Sequence, residues 1–232
     1  MKTFHVGVDQ AFRHSGYAIL SWDAETKKTE FVDSGVFNST LKMGSASDAL
    51  TFLEHMSFIK TLVSKVKKLG ETPTIAIEGV AIGAVGQATA RGGIFAVYTL
   101  HATKNADLVV VSPKKLKSYW TDDGSAEKED MAAIILPKYS LVESMAKKYE
   151  GKNAEDRKRM WDEVDAIGIA EVGLNAWRVL THGIDSVKGE LTPNQQRILW
   201  SEEVVKKKNK SAAPKLFGIC NRLDDFYIKK RA

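Results

Sequence analysis

Apolar residues in the first forty positions run short and dense, and they are broken by polar turns. Phe4 to Val8 is β-branched and aromatic enough to predict a short strand, closed by Asp9. The polar run from Gln10 to Ser15 predicts a tight turn. Gly16 to Trp22 predicts a returning strand, which makes a hairpin with Asp9 near its bend. Thr29 to Phe37 predicts a third strand, followed by a loop over 38–44. The period then changes. Ala49, Phe52, Leu53, Met56, Ile59, Leu62, Val63, Val66 and Leu69 recur at three- and four-residue spacing, the stripe of one amphipathic helix. Ser45 and Asp48 suit its start and Gly70 its end.

Pro73 leads into Thr74–Glu78, a continuous apolar run that again closes on a carboxylate. Continuous apolarity predicts burial on both faces, as inside an α/β sheet. A glycine-rich passage over 79–86 precedes a helix predicted over Gln87–Thr103. Asp107–Val111 is a fifth strand, and Ser112-Pro113 opens a helix in the cap-then-proline manner. The turn at Asp122–Ser125 predicts Ser125 as the cap of a helix carrying Glu127, Lys128, Glu129 and Asp130. A last long helix spans 156–181. Its apolar residues leave so little polar circumference that it must be largely buried. Yet Asp162 and Asp165 lie in it three residues apart, on one side.

Composition narrows the class without naming a chemistry. With 232 residues, 44% of them hydrophobic and 27% charged, the chain predicts one globular domain over 1–182 and an extension over 183–232, helical in part. A single cysteine, Cys220, permits neither an internal disulfide nor a multi-cysteine zinc site, and favours a reducing compartment. No apolar run is long enough for a membrane span, and Met1-Lys2-Thr3 leads into a strand rather than a signal peptide. The expectation is a soluble, cytoplasmic protein. The net charge of +5 is uneven: residues 188–232 hold 11 Lys or Arg against 5 Asp or Glu. A near-neutral body with a basic end suits a polyanion partner, or simply a solvated helix.

Asp9, Glu78, Asp162 and Asp165 are the chemical candidates. Each alone is ordinary: a turn aspartate, a strand-end glutamate, a pair on a helix. Gathered inside a protein, four carboxylates repel one another and take up protons unless cations neutralise them. Carboxylate oxygens are the donors that Mg²⁺ and Mn²⁺ prefer. Two such ions roughly 4 Å apart suit phosphodiester hydrolysis.

At these residues the chain resembles the RuvC family of Holliday junction resolvases, of the ribonuclease H-like fold, over about residues 3–182. Val6-Gly7-Val8-Asp9 with Ser15-Gly16-Tyr17 is similar to the family's opening hairpin, and Ile75-Ala76-Ile77-Glu78 to its second acidic strand. Gly86-Gln87-Ala88 through Ala90-Arg91-Gly92 resembles its Gly-Gln-Ala-Arg-Gly helix start. Gly124-Ser125-Ala126-Glu127-Lys128 resembles its lysine segment, with Lys117 eleven positions earlier. Asp162-Glu163-Val164-Asp165-Ala166 resembles its Asp-x-x-Asp-Ala helix. Two departures stand out. Gln10-Ala11 replaces the usual Pro-Gly, and Ala81 stands where many members carry an aromatic that opens the junction; Ile82 is a nearby substitute.

The resemblance implies a five-stranded mixed α/β sheet with the Asp9 strand central and helices on both faces. It implies a homodimer that cuts four-way DNA junctions by paired symmetric nicks, leaving 5′-phosphates. Asp9, Glu78, Asp162 and Asp165 would hold two Mg²⁺ or Mn²⁺ ions, Lys128 would complete the catalytic set, and Lys117, Lys114, Arg91 and Gln87 would meet DNA. A lysine in a helix's first turn opposes the macrodipole, which is easier to explain if Lys128 faces phosphate. Tyr119 and Trp120 flank this region as packing residues or as stacking platforms for a base. Rival readings are a debranching nuclease acting on flaps, forks and three-way junctions, and a catalytically silent junction-binding module. Sugar kinases and actin-like ATPases share the opening strand and hairpin, but need a second lobe that the residues after 182 are too few to supply. The divergence from the cellular pattern suits a phage or other mobile element.

Overall fold

The computed structural model describes residues 1–40, 45–79, 88–199 and 227–228. Three strands, β1 (Lys2–Gln10), β2 (His14–Asp23) and β3 (Lys28–Asn38), form an antiparallel meander. A helix, α1 (Ser45–Leu69), crosses to β4 (Glu71–Glu78), which lies parallel to β1. The next helix, α2 (Ala88–Asn105), crosses to β5 (Asp107–Val111), parallel to β4. The order is β3-β2-β1-β4-β5-β6, so the Asp9 strand is interior as expected. The expected five strands are joined by a sixth, β6 (Tyr227–Ile228), a two-residue antiparallel partner of β5 from the C-terminal extension. Pairing that depends on residues over a hundred positions away leaves no local period to read.

Side-chain alternation sorts the sheet into two faces. Val6, Val8, Ile19, Ile75, Ile77, Leu108 and Val110 pack with Ile59, Leu62, Val66, Ile94 and Tyr98 of α1 and α2. Ala18, Leu20, Ala76, Val109 and Val111 pack on the other face against α6 (Ala154–His182), with α3 (Pro113–Thr121), α4 (Lys128–Lys138) and α5 (Val142–Lys148) around it. Beyond His182 a 3₁₀ turn (Ile184–Ser186) and α7 (Pro193–Leu199) follow, and Val187, Leu191, Ile198 and Leu199 are buried in that same cluster. Arg178, itself buried, pins this segment through Glu190 at 2.7 Å.

Small residues let α6 lie directly on the sheet. A Cβ placed on Gly7 would stand 2.2 Å from the Ala166 carbonyl oxygen, and one on Gly16 would stand 1.9 Å from that of Asp162. Further along, a Cβ on Gly173 would meet the Ala76 Cβ at 2.6 Å. Both strand glycines occupy the positions that alternation turns toward α6, so the helix backbone rests on the β1–β2 backbone with no side chain between. The charged residues that α6 buries are satisfied locally. Glu163 accepts from Ser34 at 2.5 Å, Tyr149 at 2.7 Å and Lys148 at 2.5 Å. Glu171 accepts from Tyr139 at 2.5 Å and Lys138 at 2.6 Å.

Candidate active site

Parallel pairing of β1 with β4 brings Asp9 and Glu78 to the same end of the sheet, and alternation turns both toward α6. The close seating of α6 brings Asp162 and Asp165 beside them. The fifth charged group comes from α4, where Lys128 is the first helical residue. The turn before it departs from expectation. Glu127, not Ser125, is the N-cap, and Asp130 accepts its backbone N–H at 2.9 Å. Ser125 instead gives its own N–H and hydroxyl to the Asp123 carboxylate, at 2.8 and 2.7 Å. Asp123 captures Ser125 locally, and the helix starts two residues later than a serine cap predicts.

The resulting cleft, of about 330 Å³, is lined by Asp9, Gln10, Glu78, Lys117, Lys128, Asp162 and Asp165 on its polar side. Phe12, Ile94, Leu116 and Met131 are among its apolar residues. Lys128 Nζ lies 2.7 Å from Asp165 and 3.2 Å from Asp162. Burial pushes the Asp9 carboxyl well above the ordinary aspartate range, and the neighbouring Glu78 and Asp165 charges push it further. Burial and Asp165 raise Glu78 to about 7, while a side-chain hydrogen bond with Asp9 lowers it. Burial also raises Asp165, against the pull of Lys128. Burial disfavours the Lys128 charge as well, yet Asp165 and Asp9 outweigh it and hold the ammonium above its usual range. One ammonium therefore does not neutralise the cluster.

Of the nine residues expected at the site, six line this cleft: the four carboxylates, Lys128 and Lys117. Lys114 does not. It is exposed, and its aliphatic chain covers Gly124. Gln87, Ala81 and Ile82 lie outside the described residues, as does the side chain of Arg91. Tyr119 and Trp120 are buried, and the Tyr119 hydroxyl accepts from Asn175 at 2.9 Å, so they pack rather than stack on a base. His14 pairs with Asn38 at 2.9 Å, and His101 with the Val97 carbonyl at 3.0 Å. Among the described residues, no three His, Cys, Asp or Glu side chains stand close enough to hold a metal ion as placed; Lys128 is the cation the carboxylates contact. The donor set itself suits a divalent ion: hard oxygens only, in excess of the positive charge, with three of the four carboxyls pushed toward protonation.

Sequence reasoning did not find the support behind Asp9. His55, buried on α1, hydrogen-bonds the Tyr98 hydroxyl at 2.9 Å and the Phe12 carbonyl at 3.1 Å, and Ser15 donates to the Ala11 carbonyl at 3.3 Å. This network holds the β1–β2 turn from beneath. His55 sits on the apolar stripe of α1, which a reading for packing passes over.

The meander, the two parallel strands and the buried helix beneath them define a ribonuclease H-like fold. Solved structures place it further. Thermus thermophilus RuvC matches with a TM-score of 0.54 and 14% identity, over 77% of this chain and 95% of that one. T. thermophilus RuvC in complex with Holliday junction substrate matches with a TM-score of 0.54 and 14% identity, over 79% and 97%. The yeast mitochondrial Holliday junction resolvase Ydc2 gives 0.46 at 16% identity, over 71% and 75%. No protein-family model and no curated protein matches the chain. At such identities the likeness is one of fold: this chain has the fold of the RuvC resolvases, as its motifs implied.

Proposed function

We propose that this chain is a divalent-cation-dependent endonuclease acting on branched DNA, and that it resolves four-way junctions by paired symmetric nicks that leave 5′-phosphates. The observation that carries the reading is the meeting of Asp9, Glu78, Asp162, Asp165 and Lys128, from four separate elements, in one cleft of a RuvC-type fold. Asp9, Glu78, Asp162 and Asp165 would hold two Mg²⁺ or Mn²⁺ ions. Bound there, the ions supply activation of water and stabilisation of the leaving oxygen.

The chain's own residues do the rest. Lys128, positive and anchored on the α6 pair, offers an ammonium to the scissile phosphate as its charge grows in the transition state. Lys117 extends that positive wall along the cleft, and by the resemblance Lys114, Arg91 and Gln87 would follow the sugar-phosphate backbone. Paired cuts need two active sites, so the reading includes a homodimer. Leu50 and Leu53 of α1 and Leu100 of α2 are exposed apolar residues that such a second copy would cover. The single cysteine supports a cytoplasmic site of action, in a host cell if the source is a mobile element. No helix among the described residues is long and apolar enough to cross a membrane. Ala81, in place of the family's aromatic, favours a second reading in which flaps, forks and three-way junctions are also cut.

The test is cleavage of end-labelled four-way, three-way, flap and linear duplex DNA with Mg²⁺, beside Asp9→Asn. Symmetric nicks in the junction, lost in Asp9→Asn and in chelator, are expected. Undiminished cutting by Asp9→Asn would overturn the carboxylate assignment, and equal cutting of linear duplex would overturn the junction. Comparable cutting of flaps and three-way junctions selects the debranching reading. Tight junction binding without cutting in Mg²⁺, or in Mn²⁺ put in its place, selects the silent module.

A further inference from the structure

Gln10, immediately after Asp9, has no part in the reading above. The backbone pairing of β1 with β4 reaches Val8 and Ile77 and stops. Past that point Asp9 and Gln10 keep partners only in β2, opposite Gly16 and Ser15, while Glu78 keeps Val111 of β5. Two carboxylates of the site are thus carried on strand ends that lie beyond their shared ladder. The Gln10 side chain crosses the gap: its Nε2 donates to the Glu78 carbonyl oxygen. A carbonyl oxygen only accepts, so the amide must present its NH₂ there, which fixes where Oε1 points. That oxygen is buried and accepts no hydrogen bond from any described residue, and Gln10 lines the same cleft as the carboxylates. A buried amide oxygen left unpaired is destabilising, a cost that a ligand in the cleft can remove.

We propose that Gln10 is a positioning residue of the cation site, a role that rests on the divalent-cation reading above. Its amide nitrogen sets the separation of the Asp9 and Glu78 strand ends. Its Oε1 is a neutral acceptor for water retained by a bound Mg²⁺ or Mn²⁺, an ion that gives up its hydration shell reluctantly. A proline at this position, as in the resembled family, has neither group. Here a side-chain hydrogen bond holds what a stiff backbone holds there.

The test uses Gln10→Met, which keeps length but neither hydrogen bond, and Gln10→Ala. Mn²⁺ binding is measured by calorimetry and by the Mn²⁺-induced rise in melting temperature, and junction nicking is followed across Mn²⁺ concentrations. Half-saturating Mn²⁺ is expected to rise about 10-fold or more in all three readouts, the usual cost of losing a group behind a metal's ligands. The melting temperature in chelator should change little, since Gln10 is partly exposed at a strand end. Unchanged Mn²⁺ affinity with a lowered melting temperature would make Gln10 a structural staple and overturn the proposal. Slower nicking at every Mn²⁺ level with unchanged affinity would overturn it too. A wild-type chain that binds no Mn²⁺ would sink the cation reading itself, and shows before any variant is made.

Discussion

Replacing Gly16 with alanine tests whether the seating of α6 sets the active site. The new Cβ would stand 1.9 Å from the Asp162 carbonyl oxygen, 2.4 Å from its carbonyl carbon and 3.0 Å from the Glu163 nitrogen. All three are backbone atoms of a helix interior, so no side chain can rotate away. Relief requires α6 and β2 to part by about 1 Å, in a core packed too densely to absorb it silently. The strain should cost about 1–3 kcal/mol of stability. The activity cost should be larger, because the residue displaced is itself a member of the carboxylate cluster. A shift of about 1 Å at a reacting centre can lower a rate by about 100-fold, or about 2.7 kcal/mol of barrier. Gly173→Ala is the control. It meets only the Ala76 Cβ, at 2.6 Å, about two turns beyond Asp165 along α6. It should lose comparable stability and much less activity.

The assay pairs urea unfolding in chelator with single-turnover nicking of a four-way junction at saturating Mg²⁺. Stability loss alone would slow both variants alike once corrected for folded fraction. A Gly16→Ala protein that nicks at the wild-type rate would refute the argument. So would a Gly173→Ala protein that loses as much activity as Gly16→Ala, since the effect would then be a general loosening of α6.

Three further outcomes follow from the same geometry. Lys128→Met should lower nicking by about 10²–10³-fold while junction affinity falls far less, because the ammonium held by Asp165 and Asp162 would, in the proposed reaction, meet one phosphate among many; equal losses in rate and affinity would make Lys128 a binding residue. In chelator, Glu78→Gln should stabilise the protein at high pH: Glu78 is raised to about 7, so the folded state's advantage from its proton is lost as pH rises from its unfolded value through about 7. Urea midpoints of wild type and Glu78→Gln that run parallel across this window would contradict it. Removal of residues 200–232 should weaken DNA binding and flatten its salt dependence, and takes the two-residue β6 from the edge of the sheet. A cut at residue 188 should unfold the domain, because it strips Leu191, Ile198 and Leu199 from the core.

The sequence shows the strand ends and the buried helix because each has a period of its own. Asp9 and Glu78 close apolar runs, and the Asp162/Asp165 pair interrupts a helix with almost no other polar circumference. Their meeting was legible only through the order of the motifs, since nothing local in β1 says which strand lies beside it. The start of α4 was misread for the opposite reason. Ser125 has the right chemistry for a cap, and a nearer partner, Asp123, takes it.

His5 shows what neither period nor motif conveys. It lies on β1 two alternations before Asp9, buried, with Nδ1 2.7 Å from the Thr74 hydroxyl and Nε2 3.0 Å from that of Thr3. In sequence it is one polar residue in an apolar strand, placed on the α6 face by alternation alone. Burial, with the Arg178 charge behind it, lowers its pKa to about 3. The unfolded chain therefore binds the proton more readily than the folded one. Stability from His5 is fully present above about 6.5 and declines as pH falls toward 3, by up to about 1.4 kcal/mol per pH unit. The sign is opposite to that of Glu78 at the other end of the same sheet. Without a cation, near neutral pH, the carboxylate end of the sheet is thus destabilised by its charges, and the histidine end is most secure there. Asp9 and His5 thus share one interior strand, with the carboxylate cluster at one end under the glycine-seated helix and the neutral His5 clamp at the other.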